Sequence, residues 1–420
     1  MTTLPSPLKI IAIGYNTYGT GLTRVMHAIM RRLADHHEIH YLGIGYSGEI
    51  VHDRGLTIYP TNPKGGDVFA AFQAIRMIEE IHPSLIVILH DIWMFEYYLR
   101  LFKPYRNQLK IISYIPLDGK IINEDDAAAL EECDCIVGYT HFVKNEFDQA
   151  FSRLVQKRGG NFPKVEIIPH GVDRDRFHPS AELLKAQFAS EARANAKRKL
   201  FGDFGDLDRS TIVLNASRPD KRKRIDLTIA GFARFAADKP ENVRLCLHHG
   251  IRDETVEHQM TTLLHRYGVA DRAFLNPLPG GVVNDEQLNL LYNACDIGIN
   301  TSMGEGWGLV SLEHAATGAV QMVPDHSACK EIWSGSGELI PVVRNYIPEF
   351  TVLQMGEVSV DGVAEALDRL YTDRKRQQEL AAAGYALTQM EGYSWDSVAR
   401  QFDDLFVSIT RRDTRQSENV

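Results

Sequence analysis

The sequence predicts an α/β protein with two doubly wound domains, each a parallel sheet covered by helices on both faces. Short apolar runs such as 8–14 and 211–216 are typical of buried strands, and segments with helical spacing alternate with them. This alternation begins again near residue 211, and 420 residues are enough for two hydrophobic cores.

Polar residues follow several predicted strands of the first half. Ligands of doubly wound sheets bind beyond the carboxyl ends of the strands, so we expect these residues to lie along one edge. Each of them could instead cap a helix or a turn. The residues in question are His90 with Asp91, Asp118, and Thr140 with His141.

A glycine-containing loop, with Gly19, Thr20 and Gly21, lies between the first strand and the first helix. It matches a dinucleotide-binding fingerprint only in its first two glycines, because Arg24 stands where the third is required. The loop therefore predicts contact with a phosphate or an acceptor molecule more than with NAD.

A basic turn, Arg218 to Arg224, follows the first strand of the second half. Surface charge is the simplest interpretation for four of its five cations. If Arg218 and Lys223 face the sheet edge, however, they would clamp a diphosphate, arginine as a planar fork and lysine as a point charge.

A third loop combines glycines with two acidic residues, Glu305 and Glu313. Gly306 and Gly308 allow close approach of a ligand to the backbone, and the helix that follows favours an anion at its start. Two carboxylates would repel a phosphate unless they bind neutral hydroxyl groups nearby. Together these features predict a ligand with both phosphate and hydroxyls, such as a nucleotide-sugar.

The composition narrows the class of protein. A net charge of -9 argues against nucleic-acid binding, and five cysteines without framework spacing favour a reducing, cytoplasmic location. We expect no signal peptide or membrane span, although the composition leaves open a peripheral contact at the inner face of a membrane. The charged segment 180–210 is expected to be a solvated connection between domains.

Four stretches together resemble the retaining glycosyltransferases of family four, the group 1 glycosyltransferases. The resemblance covers nearly the whole chain and is most specific in the second half. The stretches are Glu305 to Glu313, Asn215 to Arg218 with Lys223, Leu288 to Ile297, and Ile167 to Asp173 with Phe177 and Pro179.

This resemblance implies the GT-B fold, in which two Rossmann-like domains face each other across a cleft and a C-terminal helix crosses back to the first. It implies an acceptor domain over 1–179 with helix 395–420, a linker over 180–210 and a donor domain over 211–394. The catalytic group would comprise Arg218, Lys223, Glu305 and Asp118, the last replacing a family histidine. The donor-binding residues would be Gly19, Thr20, Gly21, Gly306, Trp307, Gly308, Leu309, Val310, Glu313 and Leu278, with Leu278 in the segment Asn276 to Pro279 beside the base.

The implied reaction is transfer of a sugar, by a hexosyltransferase, from a UDP- or GDP-linked donor with retention at the anomeric carbon. The acceptor would be a sugar, a lipid-linked sugar, a protein or a small molecule. No cofactor and no metal are implied, because Arg218 and Lys223 can do a cation's work. A nucleotide-sugar epimerase and a non-catalytic nucleotide-sugar-binding scaffold are the alternatives.

Overall fold

A computed structural model describes residues 7–61, 63–202, 207–249, 253–278 and 283–417. The described chain divides into two compact units, with the divisions at residues 171/172 and 394/395. The first unit therefore contains the N-terminal part and the last helix, and the second unit contains what lies between.

The first unit has an eight-stranded sheet in the order β3-β4-β2-β1-β5-β6-β7-β8. The strand pairs are parallel except β3, which is antiparallel to β4. The strands are β1 (Lys9–Tyr15), β2 (Glu38–Ile44), β3 (Val51–Asp53), β4 (Leu56–Pro60), β5 (Leu85–Leu89), β6 (Lys110–Tyr114), β7 (Cys135–Gly138) and β8 (Val165–Ile167). The helices are α1 (Gly21–Leu33), α2 (Ala71–Ile81), α3 (Phe95–Phe102) and α4 (His141–Arg158).

Continuous apolar runs in the sequence become the central strands. Each residue of β5 is fully buried, which requires that both faces of the sheet are covered. β1 pairs in parallel with β2 on one side and β5 on the other, so its carboxyl end lies between theirs. This arrangement brings the polar residues after the strands to one edge, as expected from the sequence.

The second unit has a six-stranded parallel sheet in the order β11-β10-β9-β12-β13-β14, and a separate antiparallel hairpin of β15 and β16. Its first elements are α5 (Ala181–Lys185), α6 (Ala194–Phe201), β9 (Thr211–Asn215), α7 (Ile225–Ala236), β10 (Val243–Leu247), α8 (Glu254–Arg266), β11 (Ala273–Leu275), α9 (Asp285–Ala294) and β12 (Ile297–Ile299). They are followed by α10 (Leu309–Ala315), β13 (Val320–Pro324), α11 (Ser327–Trp333), β14 (Glu338–Ile340), β15 (Val342–Tyr346), β16 (Met355–Val358), α12 (Val360–Thr372) and α13 (Arg374–Thr388).

The last helix, α14 (Trp395–Ser417), belongs to the first unit and packs against α1. Two polar contacts support this packing. His37 Nε2 lies 2.8 Å from a carboxylate oxygen of Asp403, and Arg32 Nε lies 2.5 Å from Asp396. Residues 418–420 of the helix expected from the sequence lie outside the described residues.

The segment 180–210, for which we expected a solvated connection, lies within the second unit. The expectation of a solvated charged face is wrong for Lys197, whose side chain has no exposed surface. Its Nζ lies 2.9 Å from a carboxylate oxygen of Asp296 and donates to the Ser210 carbonyl at 2.6 Å. The reason is that Asp296, buried just before β12, supplies a counter-charge that is distant in sequence.

The contact between α7 and α12 depends on a glycine. A Cβ at Gly231 would lie 2.2 Å from Cγ1 of Val363, which is too close for two carbon atoms. We therefore expect Gly231→Ala to lower the free energy of unfolding by about 2 kcal/mol through overpacking, although alanine is the better helix former. Urea denaturation measures this change.

The matched control for this variant is Gly392→Ala, because a Cβ there would meet no atom within 4 Å. We expect its unfolding free energy to stay within about 0.5 kcal/mol of the original protein. Equal stability of the two variants would contradict the close packing of α7 on α12.

Candidate functional site

The candidate site of the second unit forms where two neighbouring strands end. β9 and β12 pair in parallel, so the basic turn after β9 lies beside the glycine loop after β12. The two segments are bonded to each other through the backbone. The Met303 N–H donates to the Arg222 carbonyl at 2.9 Å, and the Thr301 hydroxyl lies 2.8 Å from the Arg224 carbonyl.

The local sequence of the basic turn determines which cations face the glycine loop. Lys221 to Lys223 form a single 3₁₀ turn, and the Asp220 carboxylate caps it by accepting from the N–H groups of Arg222 and Lys223. Arg224 ends the turn in the left-handed conformation, with φ of 48°.

Glu305 is the centre of the cluster that results. Lys223 Nζ lies 2.5 Å from Glu305 Oε1, and the Asn300 amide donates to the same oxygen at 3.1 Å. Arg222 reaches Oε2 at 3.3 Å. The structure thus brings together two of the predicted catalytic residues, Lys223 and Glu305.

The Glu305 carboxylate is buried but ionised. Burial alone would raise its pKa, whereas the charges of Lys223 and Arg222, with hydrogen bonds from Lys223 and Asn300, lower the pKa from 4.5 to about 2. A carboxyl group with this pKa cannot act as a proton donor near neutral pH. Its chemistry is that of a fixed negative charge and a hydrogen-bond acceptor.

Arg222 is a site residue that the sequence analysis left among the surface cations. Its guanidinium contacts Glu305, the Gly304 carbonyl and the Ser302 hydroxyl. A run of four cations gives no sequence signal to distinguish one from the next. Only the turn geometry and the adjacent loop single out Arg222.

Arg218, in contrast, is exposed on the chain just after β9. Within the described ranges it forms no ion pair, so it does not join the cluster around Glu305. Its position at the same strand end leaves it available to a ligand.

The glycine loop ends in the short helix α10. Gly308 adopts a φ of 93° immediately before the helix, a conformation that favours glycine, and Leu309 and Val310 form the first turn. Gly306 and Trp307 are buried, and the Trp307 ring packs edge-on against Tyr393 at 5.4 Å. This aromatic contact therefore helps to hold the loop in place.

Glu313 lies one turn further along α10 and is also buried. The Tyr292 hydroxyl of α9 donates to Glu313 Oε2 at 3.3 Å. Leu278, beyond β11, is buried in the same unit. Pro279, the last residue of the segment expected beside a base, lies outside the described residues.

In the first unit, the expected polar residues do gather near one edge. Asp118 is half-buried after β6. Burial raises the pKa of Tyr139, and the nearby Tyr114, Asp118 and Asp91 raise it further. Thr140 caps α4 through a bond from the Val143 N–H, which is the structural role that the sequence left open.

The glycine loop of the first unit is exposed. Gly19 has a φ of 78°, and Thr20 caps α1 by accepting from the Thr23 N–H. Gly21 is the first residue of that helix. These observations place the loop at the start of a helix but assign it no ligand.

Within the described residues, no group of three or more histidine, cysteine, aspartate or glutamate side chains is arranged to hold a metal ion. In the same part of the chain, no helix is both long enough and apolar enough to span a bilayer.

The chain has sequence relatives among known glycosyltransferases. No protein-family profile matches the chain. It is 25% identical over 303 residues to a D-inositol 3-phosphate glycosyltransferase of Xylanimonas cellulosilytica, covering 70% of this chain and 61% of that protein. It is 29% identical over 180 residues to mannosylfructose-phosphate synthase of Agrobacterium fabrum, covering 41% of this chain and 35% of that protein.

Solved structures resemble the chain over almost its full length. Sucrose-phosphate synthase of Thermosynechococcus elongatus superposes with a TM-score of 0.69 at 16% identity, covering 96% of this chain and 100% of that one. Anabaena HepE in complex with UDP-glucose superposes with a TM-score of 0.67 at 14% identity, covering 96% of this chain and 100% of that one.

These similarities confirm the resemblance found in the sequence. The chain is similar in sequence to several glycosyltransferases, and it has the GT-B fold. It spans only 61% and 35% of the lengths of the two curated relatives named above.

Proposed function

We propose that this protein is a retaining glycosyltransferase that moves a hexose from a nucleoside diphosphate sugar to an acceptor hydroxyl. The observation that carries the proposal is the cluster of Lys223, Arg222 and ionised Glu305 at the carboxyl ends of β9 and β12. Two cations and one carboxylate leave this cluster with a net positive charge, which suits a diphosphate. The carboxylate suits the hydroxyl groups of the attached sugar.

The chemical demand of this reaction falls on the leaving group. As the bond to the anomeric carbon breaks, negative charge develops on the diphosphate, and preorganised cations stabilise that charge in the transition state. Lys223 and Arg222 would move from Glu305 towards the diphosphate, with Arg218 and the backbone N–H groups of 306–309 assisting. The leaving phosphate oxygen can take the acceptor's proton, so no side-chain base is required.

Other residues would bind the remaining parts of the donor. Glu305 would bind hydroxyls of the donor sugar, Glu313 those of the ribose, and Leu278 would pack against the base. Asp118 and the loop of Gly19, Thr20 and Gly21 would serve the reaction from the first unit. UDP and GDP are the candidate nucleotides, and neither a cofactor nor a metal is part of the proposal.

A panel of nucleotide-sugars tests the proposal directly. Purified protein would be titrated with UDP-glucose, UDP-N-acetylglucosamine, GDP-mannose and ADP-glucose, with thermal shift and slow release of nucleoside diphosphate as readouts. We expect one donor to raise the unfolding temperature and to be hydrolysed slowly without acceptor. Formation of an epimer from donor alone would favour the epimerase instead, and binding without turnover would favour the scaffold.

Two neighbouring lysines provide a matched pair for this assay. We expect Lys223→Met to weaken donor binding on the order of 10- to 100-fold, because a charged hydrogen bond to the diphosphate is lost. Lys221→Met removes an exposed cation of the same turn and should leave binding within about twofold. Equal effects of the two substitutions would show that the turn contributes only general positive charge.

A further inference from the structure

A chain of three hydrogen bonds connects α11 to the loop that carries Glu305. His326 Nε2 lies 3.0 Å from the Ser302 carbonyl oxygen, and His326 Nδ1 lies 2.9 Å from the Ser327 hydroxyl oxygen. The backbone N–H of Glu305 donates to that same hydroxyl oxygen at 3.3 Å. Neither His326 nor Ser327 was singled out by the sequence.

The chemistry of the atoms fixes the direction of each bond. The Ser302 carbonyl can only accept, so His326 Nε2 carries the hydrogen and Nδ1 carries the lone pair. The Ser327 hydroxyl must then donate to Nδ1, which leaves its oxygen free to accept from the Glu305 N–H. Burial lowers the pKa of His326, which favours the neutral imidazole that this arrangement needs.

Ordinary helix capping does not explain these contacts. His326 is the residue that precedes α11, and its side chain makes no capping bond to the helix. Ser327 has a φ of 46°, a left-handed conformation that is strained for a residue with a side chain and would suit glycine. The backbone conformation alone would therefore favour glycine at this position, yet the residue is a serine with a hydroxyl group.

A neighbouring glycine makes room for the imidazole on the opposite side. A Cβ at Gly356 of β16 would lie 2.8 Å from Cδ2 of His326. The Gly356 N–H also donates to the Met303 carbonyl at 2.9 Å. The segment 302–305 is thus bonded to His326 at one end, to Ser327 at the other end and to β16 in its middle.

We propose that His326 and Ser327 are positioning residues that hold the backbone of 302–305 so that the Glu305 carboxylate meets the donor sugar. The inference rests on the proposed function, since it assumes that Glu305 contacts the donor. His326 and Ser327 act only through the loop. They set the rate of sugar transfer but contribute little to the affinity for the nucleoside diphosphate.

The test compares Ser327→Ala, His326→Phe and their double variant with Ser334→Ala. Ser334 is the matched control, because it follows α11 directly and its hydroxyl, among the described residues, bonds only to the Lys330 carbonyl. Amide hydrogen exchange of 302–305 is measured without ligand. Hydrolysis of UDP-glucose or GDP-mannose, whichever the original protein turns over, and inhibition by the matching diphosphate are measured alongside.

We expect Ser327→Ala to speed exchange at the Glu305 amide and to lower kcat about tenfold, the equivalent of one hydrogen bond, with inhibition by UDP or GDP within about twofold. Since the three bonds form one chain, the double variant should lose no more than the worse single variant. Ser327→Gly should lower kcat as much while keeping the unfolding temperature, because it relieves the strained φ.

The outcomes separate this inference from the function on which it rests. Unchanged exchange at 302–305 in Ser327→Ala, or additive losses in the double variant, would overturn the positioning role whatever the activity. The positioning role would also be overturned if kcat fell only in proportion to the fall in unfolding temperature. Failure of the original protein to bind any nucleotide-sugar, with exchange still faster in the variants, would overturn the proposed function and the assignment to sugar transfer.

Discussion

Glu305→Gln is expected to lower the turnover of the nucleotide-sugar on the order of 100-fold. Glutamine keeps the shape of the side chain but loses the negative charge that accepts from sugar hydroxyls, and a charged hydrogen bond contributes roughly 3 kcal/mol at most. Lys223 and Arg222 would also lose the counter-charge that holds them in place before the donor binds. Steady-state kinetics with the donor found by the nucleotide-sugar panel would measure the change.

The matched control is Glu338→Gln. Glu338 is another buried glutamate of the second unit, and it pairs with Arg369 at 2.7 Å and with Arg376 at 2.8 Å. Both substitutions remove a buried charge from ion pairs with two cations, but only one lies in the proposed site. Equal losses of turnover, after allowance for the fraction folded, would mean that Glu305 acts through stability alone.

Glu305→Gln should also change the way in which the stability of the fold depends on pH. The pKa of Glu305 is lowered from 4.5 to about 2 in the folded protein, so its ion pairs stabilise the fold above pH 4.5. That contribution is lost as the pH falls from about 4.5 through 2. The acid-side loss of stability in this interval should therefore be smaller in Glu305→Gln, as measured by urea denaturation at each pH.

Local sequence patterns predicted the strands well, together with the loop that carries Glu305. Continuous apolar runs located β1, β5 and β9, because a strand buried on both faces has no polar positions to interrupt it. Glycines around Glu305 marked the loop that follows β12. The adjacency of Lys223 and Glu305 followed from the position of the two segments at the ends of neighbouring parallel strands.

Contacts that depend on distant partners were not predictable in the same way. Arg222 looks like Lys221 and Arg224 in the sequence, and only the capped turn makes it face Gly304 and Glu305. The hydrogen bond between His326 and Ser302 joins residues 24 positions apart. Its acceptor is a backbone carbonyl, which every residue type has, so the sequence gives no sign of it. The same limit explains why the charged segment 180–210 was expected to be solvated.

Lys197→Met is expected to cause the largest loss of stability, about 3–5 kcal/mol, because it leaves the Asp296 carboxylate buried without its closest cation. Both side chains have no exposed surface, and Arg193, the next cation, lies 4.0 Å away. Asp296 also accepts from the Ile212 N–H at 2.8 Å, so the pair joins α6 to β9 and to the start of β12.

Urea denaturation of Lys197→Met measures this loss against Lys199→Met, which removes an exposed cation from the same helix and should change stability by less than about 0.5 kcal/mol. Adding Asp296→Asn to Lys197→Met should restore part of the loss, because the uncompensated buried charge is then gone. If the double variant were less stable than Lys197→Met alone, the hydrogen bonds of Asp296 to Ser190 and Ile212 would outweigh its charge. Asp296 would then stabilise the fold mainly by accepting hydrogen bonds from the Ile212 N–H and the Ser190 hydroxyl.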